Sequence, residues 1–218
     1  MKGYCLVKLE LLQATQSLQG YRYSLSASFS EGLYLLTGPD PAAADALLYL
    51  LTGRRPPEQG QVRFLGYDIF LLGRAYQNHL AYFSRYPLFP DSFPLLHFLI
   101  YSAILQRLEP KQAKEKAMRL LKDFHMASYA FRSLGSLPEP LKNRVLLINT
   151  LWSEAPIYLL RHPLAYAGPE DLPWLCARLQ AVRRSKIVLV SEPDAHLLPG
   201  LSWQVCPLPA GVPLPDRP

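Results

Sequence analysis

The chain has little of several things. Charged residues make up 18% of 218 positions, and cysteine occurs only three times, at Cys5, Cys176 and Cys206. Three cysteines spaced so widely form neither a disulfide framework nor a zinc-ligand pattern, which predicts a reducing compartment. No apolar run reaches bilayer length. The longest greasy stretch, Phe93 to Leu105, is too short and carries His97 and Ser102. Met1-Lys2-Gly3-Tyr4-Cys5 is not followed by a long apolar core, so no signal peptide is expected. There is no internal repeat and no dense basic stripe with interleaved aromatics, so the net charge of +6 reads as solubility rather than nucleic-acid binding. His97 and His125 are expected within helical segments as packing or surface residues. Glu192, Asp194 and His196 stand at i,i+2 spacing in a loop, which does not predict a metal site.

What is present organises around Gly32 to Leu51, a short buried strand, a turn and an amphipathic helix. That is the setting of a phosphate-binding loop, which needs glycines for backbone approach, a lysine for the outer phosphates and a Ser or Thr hydroxyl for Mg²⁺. Gly38 is kept. Ala44 and Asp45 stand where the lysine and hydroxyl would be. Asp40-Pro41 reads instead as an N-cap followed by proline at the first helical position. The Asp40 carboxylate would occupy the positive helix end a phosphate would use, and Asp45, taken as part of the first turn, adds a second negative charge.

Periodicity supplies the rest. Strands are predicted over Leu6–Leu12, Tyr21–Phe29, Gln61–Leu65, Leu80–Ser84, Ile157–Leu160 and Lys186–Val190, the last two of the fully buried parallel type. Helical spacing covers Pro94 to Phe131, with an amphipathic helix from Lys111 to Phe124, then Val145–Trp152 and Leu172–Val182. The last twenty residues hold six prolines and read as a short strand near Trp203–Cys206, then an extended tail.

In order and spacing the stretch from residue 5 to 198 resembles the nucleotide-binding subunit of ABC transporters. Gly32–Asp40 is similar to the family's strand into the P-loop. Pro57-Glu58-Gln59-Gly60 leading to Gly66-Tyr67-Asp68-Ile69 resembles the segment after the P-loop helix. Leu88–Phe93 resembles the "LYPDLTV" start of the helical subdomain, and Ile157–Pro163 the Walker B strand. The resemblance implies an α/β fold with a P-loop NTPase-like, mostly parallel sheet flanked by helices, an N-terminal antiparallel β element and a helical subdomain insertion. It places one cassette-like domain over 1–198, the subdomain at roughly 86–143 and a Pro-rich strand and tail over 199–218.

Carried across position by position, the resemblance implies a site emptied of its chemistry. Gln16 falls where an aromatic would stack on adenine, and Arg85 at the Q-loop glutamine. Pro138 and Glu139, within Leu137–Leu141, fall at the "LSGGQ" signature. Arg161 and His162 fall where Walker B has its metal-holding Asp and general-base Glu. Pro193 falls at the switch histidine and Gly168 at the D-loop aspartate. Neither ATP nor Mg²⁺ nor any other metal is expected to bind, and no residue is expected to be catalytic. The expected role is a docking, scaffold or regulatory subunit at the cytoplasmic face of a membrane, beside an integral-membrane transporter subunit, another cassette or a second copy of itself. Tyr86, Phe89, Phe93 and Phe98 are the candidate docking surface, with subdomain core as the competing reading. A weak or repurposed ATPase, or an enzyme centred on Arg161, His162 and Glu192, is the alternative.

Overall fold

The computed structural model describes residues 7–83, 91–165 and 168–214. Two sheets carry it. One is antiparallel, ordered β10-β2-β1-β4-β5, from β1 (Leu9–Leu18), β2 (Tyr21–Phe29), β4 (Gln59–Phe64), β5 (Tyr67–Asp68) and β10 (Val212–Pro213). The other is parallel, ordered β6-β7-β8-β3-β9, from β3 (Gly32–Thr37), β6 (Leu80–Phe83), β7 (Ile157–Arg161), β8 (Ile187–Ser191) and β9 (Gln204–Pro207). The helices are α1 (Pro41–Leu51), α2 (Ile69–Leu72), α3 (Arg74–Gln77), α4 (Leu95–Leu105), α5 (Pro110–Asp123), α6 (Glu139–Leu151) and α7 (Leu172–Val182). This is the α/β architecture the sequence implied, with the antiparallel element in place.

The uninterrupted apolar runs of β7 and β8 make sense because each face of the parallel sheet is buried. Ile157, Leu159, Ile187 and Leu189 face a core shared with α1 and the antiparallel sheet. Tyr158, Leu160, Val188 and Val190 face a second core built with α4 to α7. Helix α1 lies among strands of both sheets, which is why it is apolar nearly all round, burying Ala43, Ala44, Ala46, Leu47, Leu48, Leu50 and Leu51. Helix α5 buries only a stripe, Ala113, Ala117, Leu120 and Leu121, at the spacing of one helical face.

Several expected boundaries move, each for a local reason. β1 begins at Leu9 and runs on to Leu18, through a register shift between Leu11 and Ala14 that spoils the alternation on which the Leu6–Leu12 reading relied. At the bulge Gly60 has φ +77°, and a Cβ there would lie 2.2 Å from the Gln13 carbonyl oxygen, so only glycine lets β4 pass. α6 starts at Glu139 rather than Val145, since Pro138 and Pro140 suit a helix's first turn instead of breaking it. His125 lies past α5 with φ +54°, not within a helix. β10 was not expected. Its proline is tolerated because it sits on a sheet edge, where a missing N–H breaks no ladder.

The carboxyl end of α6 is held by cations. Arg178 donates through Nε and Nη2 to the Leu151 carbonyl at 3.0 and 2.7 Å, and Lys116 Nζ donates to the Trp152 carbonyl at 3.0 Å. These positive groups meet carbonyls that have no partner within the helix and complement its negative end. Burial lowers the pKa of Lys116, with the Glu154 carboxylate opposing that shift.

Candidate functional site

The loop from Thr37 to Pro41 links β3 to α1 and is built from side chains of its own chain. Asp40 is the N-cap, in extended backbone, and its Oδ1 accepts from the Ala42 N–H at 2.9 Å. Its Oδ2 accepts from the phenol of Tyr23, which reaches across from β2. Burial, then the hydrogen bond to Asp40 and the charge of that carboxylate, push the Tyr23 pKa up to about 12, so the phenol stays a donor. A carboxylate therefore sits on the positive end of α1, as the sequence implied, and is fixed there from both sides. Gly38 is covered by the C-terminal segment. The Leu208 N–H donates to the Thr37 carbonyl at 2.7 Å, and a Cβ on Gly38 would meet the Leu208 carbonyl oxygen at 3.0 Å.

One turn further, Asp45 meets Arg161 at the end of β7. Nε and Nη2 of the guanidinium each donate to one carboxylate oxygen at 2.6 Å, a two-pronged pair with side chains 17% and 30% exposed. Such forked pairing is the strongest geometry open to these two groups. Asp45 lies beyond the first turn of α1, where no acidic residue is found, so its charge answers Arg161 rather than the helix end. This corrects the expectation that Asp45 belongs to the first turn and adds a second negative charge there.

The remaining positions divide. Ala44 is buried, 5% exposed, in the core between the sheets. His162 follows β7 with φ +47° and donates its backbone N–H to the Ser191 carbonyl at 2.8 Å. Glu192, just past β8, is 7% exposed, and its two oxygens accept from the backbone N–H groups of Leu164 at 2.9 Å and Asp194 at 3.3 Å. Pro193 is exposed beyond it. Pro138 caps α6 and Glu139 pairs with Lys142 at 3.0 Å, one turn along the same helix. Thus Asp40, Asp45 and Arg161 are drawn around the start of α1, whereas the signature-position residues are engaged on α6. Gln16 is buried, 7% exposed, and its Oε1 has no hydrogen-bond partner among the described residues.

The docking set needs correction. Phe98 is 3% exposed, inside the helical core, so it presents nothing to a partner. Phe93 is half-buried and stacks edge-on with Tyr101 at 6.2 Å between ring centroids. Arg85, Tyr86 and Phe89 lie outside the described residues. The sequence reading missed Tyr23 and Leu208. Tyr23 was visible as a polar-tipped aromatic on an apolar strand face, but nothing local pointed it at Asp40.

The residues present do not fit a metal-bound triphosphate seated on this loop. Where the resemblance places the hydroxyl and the metal-holding carboxylate stand a carboxylate and a guanidinium, and the two bond directly to each other. The helix end is already occupied by Asp40. Among the described residues no group of three or more His, Cys, Asp or Glu could hold a metal ion.

No family model matches the chain. It is 27% identical over 134 residues, 59% of its length, to the spermidine/putrescine import ATP-binding protein PotA of Acetivibrio thermocellus, of which it covers 36%. To PotA of Bacteroides fragilis it is 28% identical and covers 28% of that protein, so the chain spans about a third of these relatives. It is 24% identical over 201 residues to the branched-chain amino acid transport ATP-binding protein BraF of Pseudomonas aeruginosa, with 83% of this chain and 78% of that one covered. Among solved structures, the ATP-binding subunit of an ABC transporter superposes with a TM-score of 0.78 at 16% identity, covering 94% of this chain and 90% of that one. An ATP-binding cassette in its ADP conformation gives 0.69 at 16% identity, covering 95% and 91%.

Proposed function

We propose, from the premise that the chain is a cassette of the ABC-transporter ATP-binding type, that it docks a membrane-spanning partner and turns over no nucleotide. The observation that carries this reading is the Asp45–Arg161 pair. In this fold those two positions would share a metal, and here they neutralise each other. Hydrolysis of a triphosphate depends on cations and backbone donors aimed at developing negative charge. Asp40 on the helix end and the buried Ala44 supply neither. The enzyme alternative centred on Arg161, His162 and Glu192 has less behind it, since both carboxylate oxygens of Glu192 and the Arg161 guanidinium are already bound within the chain.

A partner surface has support of its own. Helix α4 is apolar nearly all round, as a helix buried on every side would be, yet Tyr101, Ile104 and Leu105 are 53, 40 and 66% exposed. With Phe93 they form a stripe that a short amphipathic helix of a membrane-spanning subunit would cover. Among the described residues no helix is long and apolar enough to cross a membrane, so the spanning part would come from the partner, with this chain at the cytoplasmic face. Ile104→Asp with Leu105→Asp is expected to weaken association with membranes from its own cells at least tenfold, while circular dichroism and melting stay those of the parent. Unchanged sedimentation with those membranes would remove this surface from the account.

A further inference from the structure

One edge of each sheet is closed by the same short piece of chain. β9 and β10 are outermost strands of their sheets, and residues 204–214 run from one to the other. The attachments are all at those edges. β9 pairs with β3, and the Leu208 N–H donates to the Thr37 carbonyl at 2.7 Å. β10 pairs with β2, and the Leu214 N–H donates to the Gly20 carbonyl at 2.8 Å. Pro207, Pro209 and Pro213 bring no N–H to this bonding. Of these residues only Leu208 is buried. A segment with so few buried apolar contacts and only edge hydrogen bonds belongs to the least stable part of a fold, which opens locally while the core stays formed.

The segment crosses the loop before α1 at two glycines, one on each side of the contact. On the loop it is Gly38, whose missing Cβ lets Leu208 lie against it. On the segment it is Gly211, where a Cβ would stand 2.8 Å from Cε1 and 2.9 Å from Cζ of Tyr23. That ring is fully buried, so it does not swing away as an exposed side chain would. Its phenol is the group that holds Asp40 on the end of α1. The segment therefore rests on the backbone of the loop at one point and on the clamp of its carboxylate at the other.

We propose that residues 204–214 form a strap that closes the loop before α1 and opens as one unit while both sheets stay folded. Closed, the strap sets Leu208 over Gly38 and Gly211 on the Tyr23 ring, which keeps the phenol on Asp40. Open, it uncovers Gly38 and the edge of β3, frees one face of the Tyr23 ring and leaves Asp40 held by the Ala42 N–H alone. Asp40 fills the helix end, and the strap decides whether that filling is fixed.

The test is amide exchange of the full chain, read residue by residue by NMR, for the parent, Gly211→Val and Leu208→Ala. In the parent, the Leu208 and Leu214 amides are expected to exchange at least tenfold faster than those of β7 and β8. Gly211→Val acts on the Tyr23 side, yet should speed the Leu208 amide at least tenfold. Leu208→Ala acts on the Gly38 side, yet should speed the Leu214 amide as much. In each variant the Ala42 amide, bonded to Asp40, should speed up with the strap, and β7 and β8 should stay at least tenfold slower than either. The parent's own rates and each variant test the strap separately, so one variant that fails to fold leaves the rest of the test intact. Strap amides as slow as β7 and β8, only the substituted end of the strap responding, or an Ala42 amide that ignores the strap or follows the core each overturns the proposal. None of these readouts uses nucleotide or membrane, so a failure here leaves the docking reading where it stands.

Discussion

Arg161→Met destabilises the fold by about 2–4 kcal/mol in urea unfolding, and Asp45→Leu does the same, but the double variant recovers much of the loss. Each single change removes the forked pair between α1 and β7 while keeping one of its two charges in a place largely shielded from water. Removing both leaves apolar side chains beside the core of α1, where volume is the main requirement. The cycle should return a coupling of at least about 3 kcal/mol, well above that of an exposed ion pair. Single variants within about 0.5 kcal/mol of the parent would mean that the pair is a surface contact rather than a bolt between α1 and β7.

Ala44→Lys, which puts a lysine where the resemblance places that of a working phosphate loop, is expected to lower stability by about 3 kcal/mol and to confer no affinity for Mg-ATP. Ala44 is 5% exposed in the core between the sheets, so an ammonium there must either be buried without a phosphate or push the start of α1 outward. Asp40 already satisfies the helix end, and Asp45 is committed to Arg161. Urea unfolding with titration calorimetry checks both halves. A stable Ala44→Lys protein with micromolar Mg-ATP affinity would show that a single missing cation had silenced the loop.

Much of this was legible in the chain. The buried runs at Ile157–Leu160 and Lys186–Val190 announced parallel strands because a sheet covered on both faces needs no polar alternation. Asp40-Pro41 announced the start of α1 because an N-cap and a proline without an N–H suit that place. Other features were not legible, because they depend on residues distant in sequence. Asp45 and Arg161 are 116 positions apart, and each alone reads as an ordinary charge. Nothing near Leu208 points to Gly38, since a prolyl-rich segment carries no periodicity to place it. Phe98 reads as docking surface or subdomain core because its position matches the family's groove beside the Q-loop, and α4 turns that side chain inward and Tyr101 outward, a choice made by packing in the helical core.

Titration of the unmodified protein with Mg-ATP, followed by calorimetry and thermal melting, bears most directly on the idea that the loop before α1 is filled from within. No saturable heat and an unmoved melting temperature up to millimolar nucleotide is the predicted result. A micromolar dissociation constant that disappears when magnesium is chelated, with a rise in melting temperature as nucleotide saturates the native state, would contradict it.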